Sequence, residues 1–142
     1  MFYNWAMILA LQPLPPETLI LPLRGAAGAG FPSPAQDYAE DPIDLVDWLA
    51  PNRPSAFVMR VDGNSMAGAG IHSGDMVVVD RSKKPRSGMI VVAVADGGFV
   101  IRQLAKHGGV MILRSVSENP STITLTEDVE LWGVVVSLAR KF

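Results

Sequence analysis

Seven short runs rich in valine and isoleucine, each bounded by turn residues, occupy the chain from Ser55 to Phe142. β-Branched side chains suit an extended, pleated backbone, and runs of four to ten residues are strand-sized. The expected strands are residues 57–61, 76–80, 89–95, 99–104, 110–114, 122–125 and 131–138. Asp96-Gly97-Gly98, between the third and fourth, is a strong hairpin signal, because Asp and Gly accept the positive φ of tight hairpin turns. Many short strands with regular turns bury their apolar faces by folding one sheet over or closing it. The expected fold class is therefore mainly β: a small folded-sheet or barrel-like domain with an extended N-terminal arm and one short helix.

Three regions are expected: an arm over residues 1–29, a linker with a short helix over 30–54, and the β-rich domain over 55–142. The arm holds one apolar run, Leu19-Ile20-Leu21, and then Gly25-Ala26-Ala27-Gly28-Ala29-Gly30, whose small residues lack periodicity. Phe31-Pro32-Ser33-Pro34 favours extended backbone. Asp41-Pro42 reads as a helix start, with Asp41 as N-cap and Pro42 at the first position. Ile43, Leu45, Val46 and Leu49 follow at helical spacing, Trp48 adds bulk, and Pro51 and Pro54 close the segment.

With 142 residues, 49% of them apolar, the chain is long enough to bury one sizeable core. Twelve basic residues stand against fourteen acidic ones, with no long basic run, so direct DNA binding has no electrostatic footprint. There is no cysteine, which excludes disulfides, thiol catalysis and cysteine zinc sites. Only His72 and His107 could serve a histidine-based triad or a metal, and both lie in glycine-rich surroundings that read as surface. Neither a metal nor a cofactor is expected. The apolar tip, Met1 to Leu11, is too short to span a bilayer and lacks a signal peptide's basic start, so a cytoplasmic location is expected.

The segment with the most chemistry is Val61-Asp62-Gly63-Asn64-Ser65-Met66-Ala67-Gly68-Ala69-Gly70-Ile71-His72-Ser73-Gly74-Asp75. A serine in a glycine-rich turn can present its hydroxyl beside exposed backbone N–H groups, the parts needed for a nucleophile and an oxyanion site. A turn serine with no such role has the same local pattern. What separates the two is a base for Ser65.

Three blocks of this sequence resemble the LexA/UmuD family of Ser-Lys self-cleaving peptidases, and within it the UmuD-like proteins. They are Ala29-Gly30-Phe31-Pro32-Ser33-Pro34-Ala35-Gln36-Asp37-Tyr38, the pair Gly63-Asn64-Ser65-Met66 and Gly70-Ile71-His72-Ser73-Gly74-Asp75, and Leu131-Trp132-Gly133-Val134-Val135. The resemblance implies that Ser65 attacks the Ala29 carbonyl and cuts the Ala29-Gly30 bond, with the N–H groups of Ser65 and Met66 holding the oxyanion. It also implies a general-base lysine, kept neutral by burial, on a strand that here reads Phe99-Val100-Ile101-Arg102-Gln103-Leu104. The position holds Arg102. A guanidinium stays protonated at physiological pH and has no lone pair to accept a proton. Brought into an apolar site, it would need a carboxylate, backbone carbonyls or water. Lys106 shares its strand parity but lies roughly 13 Å further along, and Lys83 and Lys84 sit in a polar turn.

The resemblance further implies a homodimer, stimulation by a RecA–single-stranded DNA filament, and service as accessory subunit to an error-prone, UmuC-type DNA polymerase in the DNA-damage (SOS) response. The 29-residue arm is too short for the helix-turn-helix domain of a repressor. Arg102 favours weak or absent cleavage. It also keeps open an alternative, a non-catalytic regulator of the same fold that binds the polymerase or an active paralogue. A leader peptidase shares the Ser-Met turn, but the missing anchor and the internal Ala-Gly site argue against it.

Overall fold

The computed structural model describes residues 20–21 and 41–142. The readings of the apolar tip, of the Ala29-Gly30 segment and of the Phe31-Pro32-Ser33-Pro34 linker lie outside the described residues. Strands β1 (Ile20–Leu21) and β2 (Ile43–Asp44) form a small antiparallel pair, with Ile20 opposite Asp44 and Leu21 opposite Ile43. Helix α1 follows at Leu45–Leu49.

The expected helix start at Asp41-Pro42 is therefore wrong by three residues. Pairing with β1 keeps the chain extended through Ile43, and the cap falls to Asp44. Its carboxylate accepts the N–H groups of Val46 and Asp47 at 3.1 and 3.2 Å, using donors that the first helical turn leaves unpaired. Arg53 Nη2 reaches the other oxygen of Asp44 at 2.5 Å. Trp48 is 65% exposed and adds nothing to the core.

The remaining strands are β3 (Ala56–Arg60), β4 (Met76–Asp80), β5 (Ile90–Ala95), β6 (Gly98–His107), β7 (Val110–Arg114), β8 (Thr122–Thr124) and β9 (Glu130–Ala139). They form one antiparallel sheet in the order β3-β4-β9-β5-β6-β7-β8. All seven expected strands are present, within a few residues at their ends. Strand β6 outruns its apolar stretch because Lys106 and His107 still pair with Met111 and Val110. Asp96 and Gly97 have φ of 49° and 77°, the two positive values that a two-residue turn between right-twisted strands requires.

Strand β9 lies between β4 and β5. Its register against β4 slips between Val78 and Val79, and against β5 between Val92 and Ala93. These two bulges, at Val136 and Trp132, bend the strand and raise its twist. The sheet therefore curls, with apolar clusters on both of its sides. Alternate residues serve opposite sides: Val77, Val79 and Val92 pack with Val61, Met66 and Ile71, while Val91, Ala93, Val134, Leu104 and Leu113 form a second cluster. The two clusters leave the loop after β3 fastened to the first face. No helix among the described residues is long and apolar enough to cross a membrane.

Candidate active site

Strand β3 ends where Val61 leaves the ladder. Its N–H donates to the Asp75 carbonyl and its carbonyl accepts the Gly74 N–H, both at 2.8 Å. Residues 61–75 thus form a loop closed at its neck, the compact arrangement expected of a functional surface loop. Two apolar side chains, Met66 and Ile71, are 1% and 5% exposed and pin the loop into the first core cluster. Between them the chain makes a short 3-10 turn, Ala67–Ala69.

One side of this loop is fastened to the segment after β7. The Ser65 carbonyl accepts the Val116 N–H, and the Gly68 N–H donates to the Val116 carbonyl, both at 2.8 Å. The approach is too close for a side chain at position 68: a Cβ there would lie 2.9 Å from Val116 Cγ1 and 3.0 Å from the Val116 carbonyl oxygen. The other side is held by Asp75 and Arg140. Arg140 Nε and Nη2 donate to the two carboxylate oxygens at 2.7 and 2.6 Å, and Nη2 also reaches the Gly70 carbonyl at 2.8 Å. The His72 N–H donates to the same carboxylate at 2.7 Å. These contacts, Arg140 foremost and then His72, lower the Asp75 pKa from 3.8 to about 2 against the opposing effect of burial.

The loop presents Ser65 to an open cleft of about 890 Å³. Its lining comes from Val58, Met59 and Arg60 of β3, from Phe99 to Arg102 of β6, and from Met76, Val77 and Val92. Arg102 Nη1 donates to Ser65 Oγ at 2.9 Å and to the Ile101 carbonyl at 2.8 Å. The backbone carbonyl anticipated for a charge in this site is thus present. Its Nε is buried with no partner among the described residues, and burial pushes the guanidinium pKa below its ordinary value. The main-chain N–H groups of Ser65 and Met66 make no hydrogen bond among the described residues.

Of the residues singled out from sequence, the structure brings together Ser65, Met66 and Arg102, which come from positions 37 apart along the chain for the bonded pair. Ala29 and Gly30 lie outside the described residues. Lys83, Lys84 and Lys106 are exposed and have no bond to Ser65. His72 and His107 are exposed too, and no cluster of metal-ligating side chains occurs among the described residues. The sequence reading missed Arg140 and Val116. Asp75 closes the quoted motif, but nothing in the spacing announced a partner at position 140.

The curled antiparallel sheet with a serine-bearing loop at its edge is the architecture of a Ser-Lys-type peptidase domain, and the chain belongs to the Peptidase S24-like family, whose model matches residues 22–136. It is 40% identical over 114 residues to Protein SamA of Salmonella typhimurium, covering 80% of this chain and 79% of that protein. The identity to Protein ImpA of Escherichia coli is also 40% over 114 residues, covering 80% and 78%. A LexA repressor from Carboxydothermus hydrogenoformans is 30% identical over 139 residues, 96% of this chain and 68% of the repressor.

Proposed function

We propose that this chain is a UmuD-like protein of the SOS response whose self-cleavage at Ala29-Gly30, stimulated by a RecA–single-stranded DNA filament, is impaired by Arg102. Its role is that of a homodimeric accessory subunit to an error-prone, UmuC-type translesion polymerase. Likeness to SamA and ImpA over four-fifths of the chain supports the family role.

The observation that carries the cleavage reading is the 2.9 Å bond from Arg102 Nη1 to Ser65 Oγ. Attack by a serine requires its proton to leave as the new C–O bond forms, and a neutral amine is suited to take it. A guanidinium cannot, since it is already fully protonated. It does the reverse, donating a proton into the lone pair that would attack. Ser65 is therefore held in place but not activated. Tethering Ala29 in the same chain supplies proximity, and the N–H groups of Ser65 and Met66, unpaired among the described residues, suit an oxyanion, but neither takes up the serine proton.

The same bond favours one second reading, a non-catalytic regulator that binds the polymerase or forms a mixed dimer with an active paralogue. Incubating the full chain with RecA, single-stranded DNA and nucleotide, followed by intact-mass measurement, tests the proposal. An unchanged mass is expected. Appearance of a fragment spanning residues 30–142, absent in Ser65→Ala, would show that Arg102 does not disable the site.

A further inference from the structure

We propose, resting on the placement of Ser65 and Arg102 above, that the cleft binds the free α-carboxylate of an extended peptide ending in a small residue, the kind of end left by cleavage after Ala29. The charge pattern points to an anion. The walls are largely aliphatic and aromatic, and Arg60 and Asp62, the other charged residues of the lining, are exposed. Arg102 is the half-buried cation of the lining. Nη1 is spent on Ser65 Oγ and the Ile101 carbonyl, but Nη2 makes no bond among the described residues and is not among the buried unpartnered atoms. A guanidinium partly desolvated beside an unpaired donor gains most from a carboxylate, whose bond with it is charge-assisted on both sides.

The hydroxyl adds a second donor. With Arg102 donating into Ser65 Oγ, the Ser65 proton is directed away from the guanidinium and needs an acceptor. The N–H groups of Ser65 and Met66 offer two more donors. One carboxylate oxygen would take these N–H groups and the other Arg102 Nη2, with the hydroxyl proton shared. A neutral carboxamide end supplies no charge and turns one acceptor into a donor facing donors.

An extended occupant is indicated by β3. It is the first strand of the sheet, hydrogen-bonded on one side to β4 and to no strand on the other among the described residues. Its residues Val58, Met59 and Arg60 line the same cleft as Arg102, so a peptide adding to the side of β3 that is unpaired among the described residues could bring its end to Arg102.

The test uses the full chain and two fluorescently labelled peptides of residues 22–29, Pro-Leu-Arg-Gly-Ala-Ala-Gly-Ala, one a free acid and one a C-terminal amide, read by anisotropy. The acid is expected to bind at least about tenfold more tightly, as loss of a charged hydrogen bond implies. That preference should vanish in Arg102→Gln and shrink in Arg102→Lys, which loses the fork and, wherever burial neutralises the amine, the charge as well; melting curves establish that both variants fold. Equal affinity for acid and amide, no binding of either, or an acid preference that survives Arg102→Gln overturns the proposal. Restored self-cleavage in Arg102→Lys alongside equal peptide affinities would leave the cleavage reading standing and remove only the carboxylate site. An acid preference without restored cleavage would do the opposite.

Discussion

Gly68→Ala is a small change with a calculable consequence. The new Cβ would sit 2.9 Å from Val116 Cγ1, 3.0 Å from the Val116 carbonyl oxygen and 3.3 Å from its carbon, against an optimal carbon–carbon separation of about 3.5–4.0 Å. The two segments cannot simply drift apart, because Gly68 N–H and Ser65 carbonyl are both bonded to Val116 at 2.8 Å. Overpacking of this kind costs about 1–3 kcal/mol. Replacing glycine removes unfolded-state freedom and returns about 0.4–1 kcal/mol. The net loss expected is about 1–2 kcal/mol, a drop of about 1 M in the urea midpoint for a typical slope. Tryptophan fluorescence during urea unfolding measures it. The double variant with Val116→Ala should lose less than the sum of the single losses, because the Cγ1 contact disappears while the one to the carbonyl oxygen remains. A Gly68→Ala protein as stable as the parent, or strictly additive losses, would refute this account of how the serine loop is fastened.

Three further outcomes are expected. The Asp75 carboxyl is held at about 2 in the folded protein against an ordinary 3.8, so it contributes stability above the unfolded value that is lost as pH falls through the folded one. Arg140→Ala should flatten that acid limb and raise hydrogen-exchange rates at His72, seen by urea midpoints and amide exchange between pH 2 and 5. Leu113→Ala, at a fully buried position in the second core cluster, should cost about 2–5 kcal/mol in the same unfolding assay. Asp44→Ala should cost about 0.5–2 kcal/mol by removing the cap of α1 and leave the Ser65 loop untouched, as chemical shifts of residues 61–75 would show.

The strand pattern was legible because each buried run in 55–142 is short, β-branched and bracketed by turn residues, so its local preference and tertiary place agree. Asp96-Gly97 needed no tertiary information at all. The start of α1 was misread because its determinant is non-local: β1 holds Ile43 extended, and a sequence window cannot see Ile20–Leu21 alongside. Order within the sheet, with β9 inserted between β4 and β5, likewise leaves no local mark. Ser65 stood out by its glycine-rich turn and Arg102 only through the family resemblance, whereas Arg140 and Val116 act through contacts made at long range. The 2.9 Å bond from Arg102 to Ser65 is likewise a long-range contact, one that the identity of neither residue announces.

The most direct measurement is the intact mass of the parent chain and of Arg102→Lys after incubation at about pH 10, where a substantial share of lysine amines is neutral and a guanidinium stays protonated. The account predicts that the parent stays whole and that Arg102→Lys yields a fragment of residues 30–142, lost again when Ser65→Ala is added. Cleavage of the parent at Ala29-Gly30, or an Arg102→Lys protein that folds and remains whole, would contradict it.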